Sequence, residues 1–132
     1  MNIEKIIANV KFEYGWCYEM PLFFFEKESN IQIVFDAYSE SEKITPLQER
    51  CLSDFFSHIE DITAKVNAEI NSYMNTYLED SWTIQNDLQL SEIFIKQDGR
   101  LILLCEANWD KENGLGIQIF PTYEICPQDT FL

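Results

Sequence analysis

Between Thr45 and Tyr77, apolar residues recur at steps of three and four: Leu47, Cys51, Phe55, Ile59, Ile62, Val66, Ile70, Tyr73 or Met74, and Tyr77. Residues at that spacing share one side of an α-helix, so the segment predicts an amphipathic helix with a long face to bury. Its start is marked locally. Thr45 is placed as N-cap, Pro46 at the first helical position and Gln48 as the reciprocal partner of a capping box. The run exceeds an ordinary helix of about 11–12 residues. A kink or break is therefore expected near "SHIED", with Asp61 or Thr63 able to cap a second helix.

The flanks of this segment read as strands. Residues 1–9 are helical or irregular, with Ile3, Ile6 and Ile7 preceding a strand to about Tyr14 that Gly15 breaks. "CYEMPLFFFE" reads as a second strand, and Pro21 places it at an edge or a bulge. "EKESN" reads as a polar turn before a third strand, "IQIVFDAY", in which Ile31, Ile33, Phe35 and Ala37 alternate with Gln32, Val34, Asp36 and Tyr38. Trp82 to Leu90 is a connection with room for a short strand. "EIFIK" and "RLILLCEA" then flank Asp98-Gly99, a hairpin signal, and "LILLCEANW" and "LGIQIF" flank Asn113-Gly114, another. Both residues of the second turn are expected at positive φ, and Gly116 beside it permits a bulge or a close backbone approach. Pro121 ends that strand, and "TYEIC" supplies a last one. Strands, then helix, then a strand meander predict an α+β fold. An antiparallel sheet of three N-terminal strands plus a C-terminal meander packs on one long or kinked helix or a helix pair. The 132 residues fit one domain, 1–132, and show no internal repeat.

Charge narrows the function classes. Asp and Glu total 23 against 9 Lys and Arg, a net charge of −14. Nucleic acid and anionic membrane are repelled by such a chain, whereas a basic protein or a cation is attracted. Solubility alone is the plainer explanation. Cys17, Cys51, Cys105 and Cys126 contain no C-x-x-C spacing, so neither a zinc site nor a dithiol redox motif is indicated, and their apolar neighbours suit reduced buried thiols. The N-terminal residues carry charge and no long apolar run, and the runs "LFFF" and "LILLC" are strand-sized. A cytoplasmic protein without signal peptide or membrane span is expected.

Motifs that carry chemistry are sparse. The single histidine, His58, lies in the helical segment with no triad logic around it. "DKENGLG" has too few acids at alternate positions for a calcium loop, and no phosphate-loop motif occurs, so no metal or cofactor is expected. Adjacent acids such as Glu60-Asp61 and Glu79-Asp80 are common by chance in so acidic a chain. Their distribution says more. From Val66 to Ile95 there is no Lys or Arg, but Glu69, Glu79, Asp80, Asp87 and Glu92 are present; from Glu106 onward Asp110, Glu112, Glu124 and Asp129 stand against Lys111 alone. If the helix end and the meander loops share one edge, these acids surround Trp82 and Trp109. Aromatic anchors ringed by carboxylates suit a basic protein partner, unless both indoles are core residues.

"WDKENGLGI", Trp109 to Ile117, with a late acid at Asp129, resembles the hallmark of a family of small bacterial domains, Trp-Asp-x-Glu-His-Gly-Leu. The N-terminal strands and the "ITPLQ" helix start are also similar. Asn113 stands where that pattern often has His, which leaves the turn and removes His-dependent chemistry. Relatives of such domains occur in toxin–immunity neighbourhoods, so the resemblance implies a binding role. The expected function is therefore a non-enzymatic, immunity-type protein that occludes a basic toxin, plausibly a nuclease. Glu79, Asp80, Trp82, Asp87, Trp109, Asp110, Glu112 and Asp129 are the candidate contact residues. The alternative is a small-molecule binder or enzyme with a pocket at the Trp109-Asp110-Glu112 loop, where Asp110 and Glu112 would converge with Glu106 or His58. A homodimer through an exposed strand edge is a third arrangement.

Overall fold

A computed structural model describes residues 2–79 and 81–132. It has the expected α+β architecture. A seven-stranded sheet runs in chain order, β1 (Lys11–Phe12), β2 (Trp16–Phe24), β3 (Lys27–Phe35), β4 (Leu88–Ile95), β5 (Leu101–Ala107), β6 (Leu115–Phe120) and β7 (Glu124–Cys126). A short helix α1 (Ile3–Ala8) precedes it, and α2 (Pro46–Ser57), α3 (Ile59–Tyr77) and the single turn α4 (Ile84–Asp87) connect β3 to β4.

The sheet is not wholly antiparallel. β3 and β4 pair in parallel, Gln32 to Phe35 against Glu92 to Ile95. Tight turns reverse the chain between every other pair of neighbours. The helical excursion instead returns the chain to the end from which β3 started, and that geometry demands a parallel pair.

The capping box forms as read: Gln48 N–H donates to Thr45 Oγ1 at 3.1 Å, and Thr45 N–H donates to Gln48 Oε1 at 2.9 Å. Gln48 does more than cap. Its side chain is fully buried, and Nε2 donates to the carbonyls of Asp36 and Ile95, each at 3.0 Å. One amide thus ties the start of α2 to the ends of both parallel strands. The helical run breaks at His58, which is at once the C-cap of α2 and the N-cap of α3, with φ −117° and ψ 23°. The expected caps are not used: Asp61 lies exposed in the first turn of α3, and Thr63 Oγ1 donates to Ile59 O at 2.6 Å inside the helix.

The helices bury Cys51, Leu52 and Phe55 from α2, and Ile62, Val66, Ile70 and Met74 from α3, against one sheet face. Leu47 and Tyr77, the first and last members of the predicted series, are exposed. Facing them are Ile31, Ile33 and Phe35 of β3, Leu88, Leu90, Ile93 and Ile95 of β4, Leu101, Leu103 and Cys105 of β5, and Leu115, Ile117 and Ile119 of β6. β4 therefore begins at Leu88, earlier than read, with a bulge between Leu90 and Glu92. On the other sheet face Phe131 covers Ile102 and Leu104. Gly116 makes that possible: a Cβ there would lie 2.5 Å from the Phe131 ring, the close approach expected at this position. α1, α2 and α3 all bury their apolar residues in the core of the opposite face, and among the described residues no α-helix packs on the rest of this one.

The β2–β3 turn differs from the expected "EKESN". Phe24 pairs with Lys27, so the turn is Phe25-Glu26, with φ of 55° and 62°. Two residues at positive φ match the twist of a hairpin, but the position favours Asn or Gly and costs other residues roughly 1–2 kcal/mol each. Burial explains why this pair is tolerated. The Phe25 ring is wholly buried and meets Phe24 edge-on at 4.7 Å. Pro21 lies beyond the reach of β1, on the open edge of β2, where no ladder hydrogen bond is lost.

Candidate functional site

One end of the sheet gathers the predicted residues. The β2–β3 turn, the end of α3, α4, the loop 108–114 and the C-terminal turn Gln128–Thr130 all lie there, as the strand registers require. Two segments far apart in sequence are tied together. Asn108 N–H donates to Asp87 O at 2.9 Å, and Asn108 Nδ2 donates to Asn86 O at 3.3 Å and to Asp87 Oδ1 at 3.1 Å. Above these bonds the Trp82 and Trp109 rings meet at 6.2 Å between centroids, and both are half-buried. The indoles are neither sealed in the core nor free-standing.

The acids divide by role. Asp87 also accepts from Thr83 N–H at 2.9 Å and so closes α4. Its carboxyl is held below the ordinary range first by that bond, then by Asn108, with Lys27 assisting. Asp110 accepts from Asn113 N–H and from Asn113 Nδ2, each at 3.2 Å, which shapes the loop. Asn113 serves that carboxylate and does not take the expected positive φ; Gly114 does, at 64°. A Cβ on Gly114 would also meet Gln128 Nε2 at 2.5 Å and Cys105 O at 2.7 Å. The Tyr73 hydroxyl is pushed upward first by burial of that ring and then by the charge of Asp110. Glu79, Glu112 and Asp129 are exposed. Asp80 lies outside the described residues.

The loop straddles the sheet end. Trp82 and Trp109 pack on the helix-side core. Glu112 instead lines a concavity of about 290 Å³ on the helix-free face, together with Glu92, Glu106, Lys111 and Gln128. The expected convergence of Glu112 with Glu106 is present there, whereas Asp110 is not a lining residue. His58 is at the α2–α3 break, exposed, with Nδ1 3.0 Å from Asp54 O. Among the described residues no group of His, Cys, Asp and Glu has metal-binding geometry. The four cysteines are unpaired, and burial pushes the Cys105 thiol far above its ordinary range.

Sequence reasoning missed the Tyr14–Glu92 pair. Tyr14 Oη donates to Glu92 Oε1 at 2.9 Å across the helix-free face. Alternation in "EIFIK" places Glu92 opposite Ile93, but no local feature marks a partner so distant in sequence. Burial raises the Glu92 carboxyl above the ordinary range, and the Tyr14 hydrogen bond only partly offsets it. Folding therefore favours the protonated acid. Its stability contribution is best below the unfolded carboxyl value near 4.3 and declines as pH rises through the higher folded value. Glu92→Gln is expected to raise the thermal midpoint by roughly 2 °C at neutral pH and to leave it unchanged well below pH 4. Calorimetry at the two pH values checks this; equal gains at both would exclude ionisation as the cause.

A second missed residue is Asn67. Its Oδ1 is buried without a hydrogen-bond partner, a state that costs about 1–3 kcal/mol. It belongs to the wall between α3 and the β2–β3 turn.

This is an α+β domain with a helix-covered sheet whose loop-rich end presents half-buried indoles among carboxylates. Residues 6–129 match the family described as Domain of unknown function (DUF6985), and the chain belongs to that family. No curated protein and no solved structure matches it. Among the described residues no helix is long and apolar enough to cross a membrane.

Proposed function

We propose that the protein is an immunity-type binding protein that occludes a basic protein partner, a toxin domain in the cytoplasm, through the acidic loop-rich end of the sheet. The observation that carries this reading is the Trp82–Trp109 pair, half-buried where two distant segments meet. Half-buried indoles offer a partner area without a large ordering cost, which suits a binding anchor. Charge supports it. Against 23 acids, the described residues form only two ion pairs, Lys65–Glu69 and Arg100–Asp98. Exposed Glu79, Glu112 and Asp129 take part in neither and are available to steer a cation-rich surface. The resemblance of Trp109 to Leu115 to the hairpin hallmark favours the same class.

The test is titration against a basic toxin domain. A one-to-one complex that abolishes that domain's activity is expected, with association slowing at least about tenfold from low to high salt. Trp82→Ala is expected to weaken the complex by about 2 kcal/mol or more, as removal of an anchor does. No complex at micromolar concentration would remove the proposal.

The raised carboxyl of Glu92 beside Glu106 and Glu112 favours a second reading, a small-ligand site in the concavity of the helix-free face. A ligand whose binding is lost in Glu92→Gln while the partner complex survives would select it.

A further inference from the structure

Two recesses border the β2–β3 turn. One, of about 310 Å³, is lined by Asn71, Trp82 and Gln85 among others; the second, of about 350 Å³, by Phe23 and Ile59. Glu26 and Asn67 line both, so the recesses adjoin at that pair, a groove in two parts between α3 and the hairpin. Asn67 and Asn71, four residues apart, share a face of α3 along the first recess, and Ile59 at the start of that helix borders the second. The groove has a chemical gradient. Phe23 and Ile59 make an apolar end, Asn67 and Asn71 a zone of side-chain amides, and Trp82 an aromatic end. Glu26 stands at the middle.

We propose that this groove takes an arginine side chain from the basic protein partner, a deepening that rests on the binding role inferred above. Two features point to a cationic, donor-rich occupant. Asn67, which lines both recesses, has its Oδ1 buried without a donor. The Glu26 carboxylate makes no ion pair among the described residues, in a chain whose charge of −14 selects cations. Arginine fits better than lysine. Its planar head presents five donors that can serve a carboxylate and an amide oxygen together and stacks on an indole face, while its stem lies along apolar surface. The groove adjoins the anchor pair through Trp82, so one partner segment can reach both.

The experiment uses isotope-labelled full-length protein titrated with acetyl-arginine methylamide and, separately, with the citrulline analogue, its neutral isostere. Saturable shifts of the Asn67 and Asn71 side-chain amides and of the Trp82 indole N–H are expected with the arginine probe. Affinity for citrulline should be at least about fivefold lower, because the charge-assisted bonds are gone. Glu26→Asn tolerates the positive φ, so it keeps the turn while lowering arginine affinity by a similar factor. Equal affinity for the two probes, shifts centred on residues outside the groove, no shift at all, or an unaffected Glu26→Asn would each overturn the proposal. The two inferences fail separately. A partner complex insensitive to Glu26→Asn would count against the groove alone, and arginine binding in the groove without any partner complex would count against the partner alone.

Discussion

Gln48→Glu is expected to lose about 3–5 kcal/mol of stability at neutral pH, although it changes one atom and keeps the shape. The wild-type amide is fully buried and donates to two strand-end carbonyls while accepting from Thr45 N–H. A carboxylate retains only the accepting role. It would place negative charge against the Asp36 and Ile95 carbonyl oxygens with no cation to offset it. For a domain whose total stability is on the order of 5–15 kcal/mol, the loss is large. The pH dependence identifies the cause. A buried carboxyl has a raised folded value, so protonation at low pH restores one donor and narrows the gap to wild type. Urea unfolding at neutral and acid pH, with Gln48→Leu as the uncharged control, provides the measurement. A Glu variant no worse than Leu at neutral pH would refute the buried-charge account.

Phe25→Ala carries a comparable penalty for a different reason. The ring is completely buried and packs on Phe24, and removing a buried aromatic costs about 3–5 kcal/mol. Alanine keeps a Cβ in the left-handed region, so the strain of the turn stays while its compensation goes. Phe25→Ala should therefore be less stable than Phe23→Ala, whose ring is 68% exposed, by most of that amount. Denaturant midpoints of the two variants make the comparison. Near-equal midpoints would mean that packing does not hold this turn.

These two residues also mark what is readable in the chain. Thr45, Pro46 and Gln48 were legible as a helix start because a capping box is closed within four residues. Asp98-Gly99 was legible for the same reason, and Gly99 indeed has φ 91°. The four-step run Ile62, Val66, Ile70 and Met74 follows from helix period alone. The second task of Gln48 was hidden, since its other partners belong to the ends of two strands that meet only in the fold. Phe25-Glu26 was hidden because it contradicts the composition of such turns, and core burial of one ring outweighed local preference.

The candidate site divides in the same manner. The acids and tryptophans around the loop 108–114 could be named, but not which of them were already engaged. Asp87 and Asp110 turned out to hold backbone in place, and Glu112 faces the opposite side of the sheet from the indoles.

By itself, the order of residues determined the main element types, the Asp98-Gly99 turn, the helix face and the net charge, because each depends on neighbours a few positions away. Tertiary structure alone decided the parallel β3–β4 pair, the meeting of Trp82 with Trp109, the Tyr14–Glu92 bond and the groove at Asn67. Each of those joins residues whose separation along the chain leaves no local trace, so only the packed geometry brings them into contact.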